Sequence, residues 1–219
     1  MNLSDSNKKI PLLIGTSNVA KAIRLEKCFN EGLFFSDNSA SYISNNIYEE
    51  IGSNHLDIAI NKALYWSRIS EGYAVSSDGG LSIPSLSQNW DSVRTHRFAG
   101  EGVGDHIRVN KILDMMDHLT GEDRRASWIE SVALAYNGVL IENWSAESSF
   151  GIINRKASTK RIEGFWAAKL WYFPSLGKFY SELSESELEV IGDTWVLLKK
   201  LIRNWSRNVD YQEVKNRVI

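Results

Sequence analysis

Apolar and polar positions repeat with two different periods along the chain, and this predicts an α/β protein. An uninterrupted apolar run at 11–15 indicates a buried strand, and a polar turn then leads into a helical pattern at 19–31. A second amphipathic helix is predicted at 54–70, followed by a short strand at 73–77. The order of strand, polar turn and helix is typical of the opening of an α/β unit.

The segments after residue 77 predict a mixture of extended and helical elements. The glycines at 79 and 80 predict a turn, and Pro84 predicts that the extended stretch around it lies at the edge of a sheet, because proline cannot donate to a strand ladder. The pair Asn137-Gly138 is the strongest short signal for a β-hairpin. The remaining predicted elements are a less regular strand within 33–48, a helix at 104–121 that ends at Gly121, extended runs at 125–136 and 139–153, and a last helix from Ser184 to about 207 that opens with a capping box.

The chain carries no signal that would divide it into separate domains. No internal repeat, low-complexity linker or block of like charge interrupts it. We therefore predict a single α/β domain at 11–207, with a disordered N-terminus at 1–10 and a C-terminal tail at 208–219.

The composition narrows the classes of partner and compartment. A formal net charge of −2 gives no overall basic field, so no nucleic-acid or anionic membrane partner is predicted. The single cysteine, Cys28, excludes an internal disulfide and fits a reducing compartment. The polar first ten residues lack the apolar core of a signal peptide, and no apolar run reaches the roughly 18 residues of a membrane span. These features predict a cytoplasmic protein.

Tryptophan is abundant, with eight residues, and seven of them follow residue 89. One interpretation is packing in the core and in a dimer interface, because large aromatic rings dominate burial. The other is a set of stacking platforms for a base or a sugar, although the tryptophans have no repeat spacing.

The polar stretch after the first predicted strand is a candidate phosphate site. Thr16, Ser17 and Asn18 offer short polar side chains, and the N–H groups of the following helix N-terminus point outward. Lys21 adds a positive charge one turn later. The same residues would equally form a helix cap followed by a surface lysine, so this stretch decides nothing by itself.

Two acidic positions follow extended segments, at Glu50 and at Asp78. Each could be a solvated turn. Together with the candidate phosphate site and with Lys62 on the intervening helix, they suit the chemistry of a Mg²⁺-bound nucleoside phosphate, because Mg²⁺ takes one or two carboxylates plus phosphate oxygens. Lys21, Lys62 and Arg97 could neutralise phosphate charge in the transition state. Among the four histidines, His96 beside Arg97 is the one expected near the site.

Five motifs in order resemble those of the inosine/xanthosine triphosphate pyrophosphatase family, the Ham-type purine nucleotide pyrophosphatases. They follow the family patterns T-G-N-x-x-K, E-E-T-G, E-N-A-x-x-K-A, D-D-S-G-L and S-A-R-[FY]-[SA]-G-E. In this chain they are TSNVAK at 16–21, EEIG at 49–52, HLDIAINKA at 55–63, SSDGGL at 76–81 and HRFAGEG at 96–102.

The resemblance implies a fold and an activity. The fold would be an elongated mixed sheet flanked by helices, with a central nucleotide cleft, in a homodimer. The activity would be hydrolysis of a nucleoside triphosphate to the monophosphate and pyrophosphate with Mg²⁺, or with Mn²⁺ in its place.

The resemblance also implies roles for individual residues. Asp78 corresponds to the catalytic carboxylate, which also binds metal together with Glu50. The glycines after Asp78 would leave clearance for the metal and the phosphate. Thr16, Asn18, Lys21 and Lys62 correspond to phosphate-contacting positions, and Arg97 corresponds to the arginine before the glycine turn. Ser17 and Gly79, which lie beside these residues, are further candidates for substrate binding.

The chain departs from the family patterns at several positions. Ser17 replaces a glycine, Ile58 an asparagine, and Ser77 the first of two neighbouring acids. The motif that borders the base is replaced around Ala168-Lys169, and the motif that reads the purine is replaced by Gly192-Asp193-Thr194. These changes predict altered base specificity, with a new base pocket lined by Trp166, Lys169 and Asp193.

Alternatives remain open on the sequence alone. The chain could be a catalytically weak or inactive relative that binds nucleotide for regulation, as the loss of one acid at Ser77 would favour. It could retain the chemistry for a modified or pyrimidine nucleotide. It could also use its tryptophan-rich half as a surface for a protein or a carbohydrate.

Overall fold

A computed structural model describes residues 9–30, 32–37, 48–86, 89–209 and 214. Most of the predicted disordered N-terminus and most of the predicted C-terminal tail therefore lie outside the described residues. Within the described residues, the helices are α1 (Val19–Phe29), α2 (His55–Ile69), α3 (Asp105–Met115), α4 (Glu185–Val190) and α5 (Thr194–Asn208). The strands are β1 (Ile10–Ile14), β2 (Phe34–Asp37), β3 (Tyr73–Ser82), β4 (Arg125–Tyr136), β5 (Val139–Glu147), β6 (Gly151–Ile153), β7 (Trp171–Phe173) and β8 (Lys178–Phe179).

The strands form an open mixed sheet. Hydrogen-bonded neighbours follow the order β2-β1-β3-β4-β6-β7-β8, and β5 pairs with β4. Strand β1 is parallel to both β2 and β3, whereas β4, β6, β7 and β8 pair in antiparallel fashion. The predicted fold class, a mixed α/β sheet flanked by helices, is confirmed.

The chain divides into two compact units, and strands β3 and β4 each contribute residues to both units. The first unit comprises Met1–Asp78, Ser131–Ser145 and Leu198–Ile219, and the second comprises Gly79–Glu130 and Ala146–Leu197. The single domain at 11–207 stays a prediction.

The first unit packs helices α1 and α2 on its parallel strands. Leu25, Cys28 and Phe29 form the buried face of α1, as the helical pattern predicts. Edge-on aromatic contacts continue this core from Phe29 to Trp144 and from Trp144 to Trp205, at ring-centroid separations of 6.0 and 5.4 Å.

The second unit is built around a larger aromatic core. Trp171 is completely buried, donates its indole N–H to the carbonyl of Ala126 at 3.0 Å and stacks on Tyr180. The described tryptophans after residue 89 that are buried are Trp90, Trp128, Trp144, Trp166, Trp171 and Trp195. The core-packing interpretation of the tryptophans is therefore correct, and a stacking surface made of these rings is excluded.

The hairpin prediction at Asn137-Gly138 is confirmed. Strands β4 and β5 flank this pair, and both residues adopt positive φ angles, 48° and 81°. Positive φ at both central residues is the requirement of the tight turn that matches strand twist.

The prediction of a turn after residue 77 is wrong. Strand β3 continues through Asp78, Gly79 and Gly80 to Ser82, and neither glycine adopts the left-handed conformation that a turn would use. The prediction of an edge at Pro84 is also wrong, because β3 lies between β1 and β4 and the proline starts a short 3₁₀ helix after the strand. Proline is tolerated there since the first turn of a helix needs no donor.

Two predicted helices end or break earlier than expected. Helix α3 ends at Met115. The carbonyl of Met116, just beyond the last turn, accepts a hydrogen bond from the Arg124 guanidinium. The predicted last helix is two helices, since Gly192 adopts a positive φ of 59° and Asp193 caps the new helix α5. A left-handed glycine followed by a capping residue is a combined stop and start signal.

Candidate active site

The end of β1 is held close to β3 by a glycine. Gly15 donates its N–H to the carbonyl of Val75 at 2.7 Å, and its own carbonyl accepts from the Ser76 hydroxyl at 3.0 Å. A Cβ at Gly15 would overlap the Ser76 hydroxyl and the Trp66 ring. The absence of a side chain here therefore sets where the chain leaves β1 and enters the polar turn.

The polar turn forms the cap of α1. Asn18 caps the helix by accepting from the Lys21 N–H through Oδ1 at 3.1 Å, and the Thr16 hydroxyl accepts from the Asn18 N–H at 3.1 Å. Ser17 is exposed between them. The helix-cap interpretation is thus correct as local structure, and the exposed Ser17 lies beside the helix N-terminus, which carries a partial positive charge.

Helix α2 presents two side chains to β3 on one face. Asn54 caps it by accepting from the Asp57 N–H at 2.9 Å, so His55 is its first residue. Lys62 follows seven residues later, which returns it to the same face. His55 Nδ1 lies 2.6 Å from Asp78 Oδ2, and Lys62 Nζ lies 3.5 Å from the carbonyl oxygen of Ser77.

Lys62 also makes an ion pair with Glu50. Lys62 Nζ lies 2.8 Å from Glu50 Oε1, and 13% of the lysine side chain and 29% of the glutamate side chain are exposed. The pair is therefore only partly exposed to solvent.

Asp78 is an ionised carboxylate although it is largely buried. Burial raises the pKa of Asp78, but the hydrogen bond from His55 and the charges of Lys21, Lys62 and His55 act in the opposite direction and leave the pKa below its ordinary value. Burial also raises the pKa of Tyr48, and the charges of Glu50 and Asp78 raise it further. Both carboxylates are thus close enough to act on one phenol.

The first unit therefore brings together the acidic and basic residues that the sequence predicted there. Lys21, Glu50, Lys62 and Asp78 belong to one electrostatically linked group, and His55 joins them. Among the described residues no group of three or more His, Cys, Asp or Glu side chains could hold a metal ion. A cation at this place would depend on the oxygens of Glu50 and Asp78 together with oxygens from water or a ligand.

The other predicted site residues belong to the second unit. Arg97 and His96 are exposed, and Lys169 is half-buried at the end of a short 3₁₀ helix. Trp166 is buried and packs against Phe98 with ring centroids 5.5 Å apart.

Asp193 and Gly79 have structural roles that the sequence did not predict. Asp193 Oδ1 accepts from the Trp195 N–H at 2.9 Å, and Oδ2 accepts from the Tyr180 hydroxyl at 2.7 Å. A Cβ at Gly79 would overlap the Glu130 carboxylate and the Ile129 carbonyl. The missing side chain of Gly79 is thus required for packing against β4.

His55 is the residue of this group that sequence reasoning missed. The prediction that only His96 would lie near the site is wrong, because His55 contacts Asp78 directly. The spacing in the sequence was the available signal. His55 begins an amphipathic helix and precedes Lys62 by seven residues, so both lie on the same face of that helix.

Fold and site together define an α/β protein with a charged group around Asp78, which lies within a central strand. The model of the Ham1 family matches residues 12–193, and the chain belongs to this family. The predicted family resemblance is confirmed.

Individual relatives agree with this assignment. The chain is 30% identical over 167 residues to the dITP/XTP pyrophosphatase of Desulforamulus reducens, which covers 76% of this chain and 81% of the relative. The solved structure of a HAM1 protein from Coxiella burnetii has a TM-score of 0.73 at 23% identity, covering 90% of this chain and 99% of that one. The Staphylococcus aureus Ham1 protein has a TM-score of 0.69 at 21% identity, covering 89% and 98%. These structures are similar in fold.

None of the described helices combines the length and the apolar character that crossing a membrane requires.

Proposed function

We propose that this protein is a nucleoside triphosphate pyrophosphatase, which hydrolyses its substrate to the nucleoside monophosphate and pyrophosphate. Membership of the Ham1 family supports this activity, as does similarity to a relative named dITP/XTP pyrophosphatase. The observation that carries the proposal is Asp78, an ionised and largely buried carboxylate flanked by His55, Lys21 and Lys62. Perturbed carboxylates of this kind concentrate at functional sites.

Asp78 would orient the attacking water and accept a hydrogen bond from it. Its burial keeps bulk water from competing, and its low pKa keeps the carboxylate ionised so that it can accept. The bond that forms joins the water oxygen to the α-phosphorus, and the bond that breaks joins that phosphorus to the bridging oxygen of pyrophosphate. Lys21 and Lys62 would hold the departing pyrophosphate, together with the N–H groups at the start of α1.

We propose that a divalent cation, Mg²⁺ or Mn²⁺, acts with these residues. The donor set fits, because Glu50 and the largely buried Asp78 offer carboxylate oxygens within one unit and Mg²⁺ commonly takes one or two carboxylates plus phosphate oxygens. The ion would supply positive charge to the phosphate oxygens as negative charge builds on them. Glu50 and Asp78 would hold the ion, and Lys62, which pairs with Glu50 in this structure, would neutralise phosphate charge.

Base preference is proposed to differ from that of the family, because both motifs that the family uses for the base are replaced. Trp166 and Asp193, which were predicted to line a new base pocket, are engaged in packing and in capping. Lys169 remains as a side chain that could contact a base. The homodimer and the cytoplasmic location implied by the resemblance and the composition remain part of this proposal.

A second candidate is a relative that binds nucleotide and turns it over slowly or not at all. Ser77 favours it, since the first of the family's two neighbouring acids is replaced by a hydroxyl that is fully buried and has no hydrogen-bond partner among the described residues. One acid fewer would weaken the hold on a divalent cation.

A nucleotide panel with product identification tests both candidates. Purine, pyrimidine and deaminated nucleoside triphosphates are incubated with the protein and Mg²⁺ or Mn²⁺, and products are separated by ion-exchange chromatography. Monophosphate plus pyrophosphate from at least one substrate supports the pyrophosphatase. Binding by calorimetry without any turnover supports the second candidate, and diphosphate plus inorganic phosphate contradicts both.

A further inference from the structure

The contact between His55 and Asp78 is shorter and more buried than a surface ion pair. Nδ1 and Oδ2 are 2.6 Å apart, and only 7% of the histidine side chain and 12% of the aspartate side chain are exposed. A buried hydrogen bond of this length to a charged group is among the strong ones in proteins. The two side chains therefore hold each other in one arrangement.

The identity of the donor follows from the acceptor. An ionised carboxylate has no hydrogen to give, so Nδ1 carries it and donates to Oδ2. Both the neutral tautomer with hydrogen on Nδ1 and the imidazolium fulfil this condition, so the contact does not depend on which of them is present.

Both partners are attached to rigid backbone. Asp78 lies inside β3, which has a hydrogen-bonded neighbour on each side, and His55 is the first residue of a helix whose N-cap is made by Asn54. With Oδ2 fixed by the imidazole, rotation of the carboxylate is blocked and Oδ1 keeps one direction. The neighbouring Ser77 is completely buried and offers no acid that could share this task.

We propose that His55 is a positioning residue, which fixes the Asp78 carboxylate in the orientation that the attacking water requires. This inference rests on the proposed pyrophosphatase function. His55 need not touch the nucleotide, since it would act through Asp78. Loss of an orienting partner of an active-site ligand typically lowers activity about 10- to 100-fold.

The decisive comparison uses three substitutions at one position. His55→Ala removes the donor. His55→Asn restores it, because the amide nitrogen of asparagine is separated from Cα by as many bonds as Nδ1 of histidine. His55→Gln places its amide nitrogen one bond further out, where Nε2 would be. His118→Ala, at an exposed histidine of the second unit, is the matched control.

We expect His55→Ala to lower kcat about 10- to 100-fold, with KM for the nucleotide changed less than about twofold. The kcat of His55→Asn should recover at least half of that loss on a logarithmic scale, whereas the kcat of His55→Gln should stay as low as that of His55→Ala. The kcat of His118→Ala should equal that of the wild type. Thermal melts of each variant measure the folded fraction. If His55→Ala fails to fold, the Asn and Gln variants decide, because both fill most of the space of the ring.

Three results would overturn the inference while the wild type is active: unchanged kcat in His55→Ala, equal activities of the Asn and Gln variants, or a loss that follows KM or the folded fraction. A wild-type protein that releases pyrophosphate from no nucleotide refutes the proposed function, and the positioning role with it. That failure is distinguishable, because it is seen before any variant is made.

Discussion

Replacing Asp193 with alanine separates a structural role for this residue from a role in reading the base. The substitution removes the side chain that accepts from the Trp195 N–H at 2.9 Å and from the Tyr180 hydroxyl at 2.7 Å. Loss of a helix N-cap costs about 1 kcal/mol. Loss of a hydrogen bond to a charged group costs about 1.5–3 kcal/mol. Because removal of a buried carboxylate also recovers part of its desolvation cost, we expect a net loss of about 2–3 kcal/mol.

Urea unfolding followed by tryptophan fluorescence measures this loss as a lower midpoint at unchanged slope. Asp193→Asn keeps an acceptor oxygen for the cap and should lose less than Asp193→Ala. Tyr180→Phe isolates the second hydrogen bond and should lose about 1.5–3 kcal/mol, because the carboxylate that accepts it is charged. Relative kcat/KM values across the nucleotide panel should stay unchanged in all three variants. An Asp193→Ala protein with wild-type stability and a changed base preference would refute the structural account and restore Asp193 to the base pocket.

Three further outcomes follow from individual contacts. Arg124→Met should lower the free energy of unfolding by about 2–4 kcal/mol in urea, because the hydrogen bonds that the buried guanidinium donates to the carbonyls of Met116 and Ile153 would be lost. Gly79→Ala should lower the stability by about 1–3 kcal/mol, seen as a reduced melting temperature, since its Cβ would overlap the Glu130 carboxylate. The hydrogen bonds from Lys178 and Ser184 lower the pKa of Glu187 from 4.5 to about 2, so this carboxylate stabilises the fold above about pH 4.5 and its contribution is lost as the pH falls towards about 2. In thermal melts, the melting temperature of Glu187→Gln should therefore fall less than that of the wild type as the pH is lowered from about 4.5 to about 2.

Local signals in the sequence predicted most of the fold. The periodicity located α1, α2 and β1, and Asn137-Gly138 located the hairpin, because each of these depends on residues close together in the chain. The course of β3 through Asp78 and two glycines was not predictable in this way. Gly79 is explained by Glu130 on the neighbouring strand, and strand pairing over that distance leaves no local trace.

The broken last helix shows a signal that was present but overridden. The apolar stripe from Leu188 to Trp205 continues across the break, so the periodicity alone predicts one helix. Gly192 and Asp193 are a stop and a cap in sequence, and the structure follows them rather than the stripe.

The candidate site was predictable in its charges and not in its pairings. Lys21, Glu50, Lys62 and Asp78 were all expected in one group, whereas the ion pair of Lys62 with Glu50 was not. The contact of His55 with Asp78 was also missed, because it depends on how α2 packs against β3. Side-chain pairings of this kind are set by tertiary geometry, which a single sequence does not record.

The most direct test of the account is hydrolysis in oxygen-18-labelled water, with the position of the label read by mass spectrometry in both products. The account predicts that the label enters the nucleoside monophosphate and not the pyrophosphate, because water attacks the α-phosphorus, and that Asp78→Asn abolishes the reaction while the protein stays folded. Label in pyrophosphate or in inorganic phosphate, or full activity in Asp78→Asn, would contradict it.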